Sequence, residues 1–88
     1  MVKKCIFAGT FDPPTLGHKA LLEECLKLFD EVVLAVMVNP QKQPYFTLEE
    51  REEMLALTVE NNPRVRIVST AGTVAELLQK ENTKFYVR

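Results

Sequence analysis

Three observations predict an α/β fold, a parallel sheet with helices on both faces. Short apolar runs rich in β-branched residues alternate with stretches of helical spacing. One run, EVVLAVMV at residues 31–38, is almost continuously apolar, as strands covered on both faces are. Two Thr-x-x-Glu signatures, Thr47 to Glu50 and Thr73 to Glu76, mark helix starts, because each side chain satisfies the other's backbone N–H. The order is strand, helix, strand, helix, strand, helix, strand, which demands right-handed crossovers.

Residues 3–9 read as the first strand, ending in a glycine. Over residues 16–29, Ala20, Leu21, Leu22, Cys25, Leu28 and Phe29 recur at spacings of three and four, with Lys19, Glu23, Glu24 and Lys27 on the other side, so this is an amphipathic helix. The second strand follows at 31–38. Residues 39–46 (NPQKQPYF) are polar, carry two prolines and lack periodicity, the marks of a loop. A second helix runs over 47–61 until Pro63 bars it, a third strand covers 65–69, a third helix 74–81, and a fourth strand 85–88. The chain stops on the last residue of a strand, where an α/β fold returns to helix, so a sheet truncated after its fourth strand is expected.

Composition excludes several classes. With 88 residues the chain forms one domain at most, residues 1–88, with 47% apolar residues, a normal share for a globular domain. A net charge of -1 gives no electrostatic case for nucleic acid. The longest apolar run, residues 32–38, falls far short of the ~20 residues a membrane helix needs. Cys5 and Cys25 have no CxxC spacing, no companion histidines and no secretory segment before them, so two buried thiols in a cytoplasmic protein are expected.

The chemistry concentrates in GTFDPPTLGH, residues 9–18. Strand carboxyl ends line the ligand crevice of such sheets, and Gly9, Thr10 and Phe11 fall at one. A glycine there lets backbone approach a ligand, and the Thr10 hydroxyl is a donor for a phosphate oxygen. Asp12-Pro13-Pro14 stiffens the turn, and Thr15 is the N-cap of a helix starting at Leu16. His18, the only histidine, then lies in the first turn, where unpaired N–H groups and the helix dipole favour an anion. A lone histidine there usually faces solvent without a role. The convergence of glycine, threonine and histidine on one helix end favours function.

This segment resembles the GTFDPxTxGH form of the T/HxGH motif of the nucleotidylyltransferase superfamily, and Thr15 resembles its phosphopantetheine adenylyltransferases. Val38-Asn-Pro-Gln-Lys42 with Phe46-Thr-Leu-Glu-Glu-Arg51 is similar to that family's NPxK and FTxEER segments. The likeness spans all 88 residues but only the first half of a typical member. It implies a Rossmann-like parallel sheet and transfer of AMP from ATP to 4'-phosphopantetheine, giving dephospho-coenzyme A and pyrophosphate with Mg2+ present. The alternatives are an adenylyltransferase acting on nicotinate mononucleotide, and a non-catalytic half-domain that binds a phosphate ligand.

The resemblance also implies residue roles. His18 would bind the ATP phosphates and stabilise the transition state, and Gly9 and the backbone of Thr10 and Phe11 would contact ATP. Thr10 and Lys42 would orient the phosphate of phosphopantetheine, and Val74 and Arg88 would touch the same substrate. Without the motif Lys42 reads as a solvated lysine and Arg88 as an exposed terminal residue. Core packing suits the Val74 side chain equally well. Thr47, Glu50 and Arg51 read as helix capping and surface pairing, and Lys3, Lys4, Lys19, Lys27, Lys80 and Lys84 as surface cations. No residues are assigned to hold a metal, and family members usually form hexamers.

Overall fold

The central strands form where the sequence is most continuously apolar. In a computed structural model, which describes residues 3–39 and 43–87, β1 (Lys4–Gly9) pairs with β2 (Glu31–Met37), and β3 (Val65–Thr70) and β4 (Tyr86–Val87) flank them. The order is β3-β2-β1-β4 and every pairing is parallel. The helices are α1 (Leu16–Leu28), α2 (Leu48–Val59) and α3 (Val74–Lys80).

Strand alternation divides the core in two. Cys5, Phe7, Val32, Leu34 and Val36 face α1 and α2, which supply Leu22, Cys25 and Leu55. Ile6, Ala8, Val33 and Ala35 face α3, which supplies Leu77. Burying one such aliphatic side chain is worth about 1.5–3 kcal/mol, so β1 and β2 are stabilised from both faces. All three helices carry Thr-initiated capping boxes, at Thr15, Thr47 and Thr73.

Three expectations need correction. Leu21 and Leu28 do not join the core of α1: they are 37% and 68% exposed. Both lie on a stripe roughly 100° round the helix from buried Leu22, beyond the reach of the sheet. The second helix ends at Val59 rather than residue 61, because Glu60 and Asn61 turn left-handed with φ of 53° and 54°. Pro63 disfavours helical backbone at Asn62 and so leaves room for that turn.

Lys4 is not a free surface cation. Its Nζ lies 3.1 Å from Glu81 Oε1, and Glu81 also pairs with Arg66, whose Nε is 3.6 Å from Glu31. These residues gather at the amino-terminal end of the sheet and tie α3 to three strands. The opposite end is left for the loops that carry the glycine-threonine-histidine segment.

Candidate functional site

Gly9 is the last residue of β1, and the chain reaches α1 through Thr10 to Thr15. Thr15 caps α1 as the sequence predicts: its Oγ1 accepts from the His18 amide at 3.3 Å. The reciprocal bond is unusual, because the third helical residue is histidine rather than glutamate. The Thr15 amide donates to His18 Nδ1 at 2.9 Å. An amide N–H only donates, so Nδ1 is the acceptor, and in a neutral imidazole the proton sits on Nε2. In that tautomer Nδ1 is the acceptor within the capping box and Nε2–H is the donor of the ring.

The helix end itself is electropositive. The amides of Leu16 and Gly17 precede the first intrahelical bond, and α1 has no acidic residue in its first turn. By contrast α2 places Glu49 and Glu50 there, and α3 Glu76. The α1 end is suited to accept an anion.

Phe11 contributes its side chain to this corner. Its φ is 51°, its side chain is buried, and its ring centroid lies 4.8 Å from that of His18 and 5.4 Å from that of Phe7. Left-handed backbone costs a non-glycine residue roughly 1–2 kcal/mol, and burial of the ring offsets it. A Cβ added at Gly9 would meet the Phe11 ring at 3.4 Å. The Phe11 ring thus packs within ordinary contact distance of the end of β1 at Gly9.

Two further residues hold the loop. Asp12 accepts the amides of Tyr45 at 2.7 Å and Phe46 at 2.9 Å, joining the β1–α1 loop to the segment that leads into α2. Arg51 is buried, not a surface pairing residue: its Nη1 donates to the Thr10 carbonyl at 3.2 Å and its Nε to the Thr47 carbonyl at 3.4 Å. A signal for this was present, since Arg51 stands four residues before core residue Leu55 on the inward stripe of α2.

Gly9, Thr10, Phe11 and His18 thus meet at one corner. Val74 begins α3 at the same end of the sheet but on its other face, where its side chain packs against the Ile6–Ala8 core. Lys42 and Arg88 lie outside the described residues. Among the described residues no three of His, Cys, Asp and Glu gather to hold a metal. Asp12, the one carboxylate in residues 9–18, has both oxygens engaged by amides. A groove of about 630 Å³ between β3 and α3 lies away from this corner; of its charged groups, Arg66 and Glu81 pair with each other and Glu76 caps α3.

A four-stranded parallel sheet with helices on both faces, and the open amino end of α1 beyond a central strand, defines the chain as a Rossmann-like α/β protein. Residues 6–88 match the Cytidylyltransferase-like family, and the chain belongs to it. It is 38% identical over 87 residues to a phosphopantetheine adenylyltransferase of Flavobacterium johnsoniae, covering 99% of this chain and 57% of that protein. It is 39% identical over 85 residues to the enzyme of that name from Symbiobacterium thermophilum, covering 97% and 52%. The chain spans about half the length of the curated relatives it matches. Among solved structures, nicotinic acid mononucleotide adenylyltransferase of Plasmodium falciparum complexed with NaAD superposes with a TM-score of 0.71 at 22% identity, covering 99% of this chain and 49% of that one, and shares the fold.

Proposed function

We propose that this chain supplies the phosphate-binding corner of a phosphopantetheine adenylyltransferase, which transfers AMP from ATP to 4'-phosphopantetheine and releases pyrophosphate. The observation that carries the reading is the His18 capping box, which assigns Nδ1 as acceptor and Nε2–H as donor in the first turn of a helix that has no acidic residue there. The names of the curated relatives support the substrate over nicotinate mononucleotide.

The attacking phosphate oxygen of phosphopantetheine is already ionised at neutral pH, so no general base is needed. The work left to the protein is to align the two phosphates and to stabilise charge growing on the α-phosphate. His18 Nε2–H and the helix end serve the second task. Gly9, Thr10 and the Phe11 backbone position ATP, while Thr10, Lys42, Val74 and Arg88 serve phosphopantetheine. Mg2+ is proposed to accompany the ATP phosphates; Asp12, the one carboxylate of residues 9–18, is already engaged by two amides. A cytoplasmic homo-oligomer, a hexamer by family resemblance, is the proposed setting.

The test is pyrophosphate release by protein carrying this sequence, with Mg·ATP and either 4'-phosphopantetheine or nicotinate mononucleotide. Release with the first only is expected. Preference for the second would overturn the substrate, and absence of ATP binding would overturn the site.

A further inference from the structure

We infer that Arg51 is a positioning residue of the phosphate corner, acting through the Thr10–Phe11 peptide. Arg51 is buried, 4% exposed, and among the described residues none of the ion pairs includes it, whereas the similarly enclosed Glu81 carboxylate is paired with Lys4 and Arg66. A guanidinium withdrawn from water without a carboxylate is unfavourable unless its hydrogen bonds are well placed. Both of its protein contacts are carbonyls, one at the N-cap of its own helix and one at Thr10, 41 residues away.

The Thr10 carbonyl and the Phe11 N–H belong to one peptide group. A cation on that oxygen polarises the peptide and strengthens the N–H as a donor. It also pins the residue just before Phe11, whose left-handed φ of 51° persists only where its surroundings over-determine it. The constraint passes on to His18, because the Phe11 ring lies 4.8 Å from the imidazole. Arg51 reaches the two carbonyls from two nitrogens of one rigid planar fork, a geometry that the single flexible ammonium of lysine does not reproduce. The consequence for ATP rests on the function proposed above; the geometric link to His18 does not.

The experiment compares the chain with Arg51→Lys, Arg51→Gln and, as a control on the exposed side of α2, Glu53→Gln. Circular dichroism checks the fold, NMR reads the His18 imidazole protons, and titration gives the Mg·ATP affinity. Both Arg51 variants are expected to shift the imidazole resonances, through the altered Phe11 ring current, and to weaken Mg·ATP binding about tenfold, as loss of a charge-assisted bond does. The control is expected to change neither. If Arg51→Gln does not fold, Arg51→Lys decides. A folded Arg51→Lys with unchanged imidazole resonances overturns the inference. If the unsubstituted chain binds no Mg·ATP, the proposed function falls, and the imidazole resonances alone judge Arg51.

Discussion

The main-chain amide of Thr15 donates to Nδ1 of His18 at 2.9 Å, so the residue that caps helix α1 also assigns the acceptor nitrogen of the imidazole. Helix capping and the orientation of the histidine ring are carried by the same pair. In an enzyme carrying this sequence, His18→Ala is expected to lower kcat about 10²–10³-fold, or about 2.7–4 kcal/mol, the loss typical of one transition-state donor. Phosphopantetheine affinity should change far less. Steady-state rates with both substrates check this, and wild-type turnover in the variant would remove His18 from the chemistry.

Asp12 uses both carboxylate oxygens on neighbouring amides, at Tyr45 and Phe46. Asparagine keeps one acceptor and turns an NH2 donor toward the other amide. Asp12→Asn should therefore destabilise the fold by about 1.5 kcal/mol, the low end for bonds to a charged group because Tyr45 is at the surface. Hydrogen exchange at Tyr45 and Phe46 should accelerate relative to the Leu55 amide. Unaltered exchange at both would mean that the segment is held by other contacts.

Glu81 predicts an acid sensitivity. Its burial alone would raise the carboxyl pKa, but hydrogen bonds and charge from Arg66 and Lys4 outweigh it and hold the pKa below its ordinary value. A depressed folded pKa means that the contribution is fully present above the unfolded carboxylate pKa and is lost as pH falls through the folded one. The melting temperature should decline over that acid window. Glu81→Gln should be less stable at neutral pH and show a shallower decline; an identical profile would exclude Glu81 as its source.

The two thiols should be inert in the native state. Burial, then the neighbouring Cys25, pushes Cys5 up to about 12, and burial also raises Cys25. Since the thiolate is the reactive form, neither should label with iodoacetamide at pH 8 until urea unfolds the chain. Rapid native labelling would show that the α1 face of the core opens readily.

Much of the architecture was legible because it is encoded locally. Thr47–Glu50 and Thr73–Glu76 close over three residues, so spacing suffices to find them; Thr15 was legible as an N-cap, but the return bond to His18 was not, because histidine is not the usual third residue of such a box. The β-branched run at 31–38 announces a strand covered on both faces. The candidate segment was legible as a unit for the same reason, since Gly9 to His18 is one contiguous strand end, turn and first helical turn.

The sequence by itself determined the order of elements, the helix starts and the place of the histidine, since each depends on neighbours in the chain. Only the tertiary structure decided what fills the space beside Gly9, that Arg51 is buried on the Thr10 carbonyl, that Asp12 binds amides 33 and 34 residues away, and that Lys4 pairs with a residue 77 positions on. Those partners meet because parallel strands joined by right-handed crossovers bring all carboxyl ends to one side and all amino ends to the other, and no local spacing records that convergence.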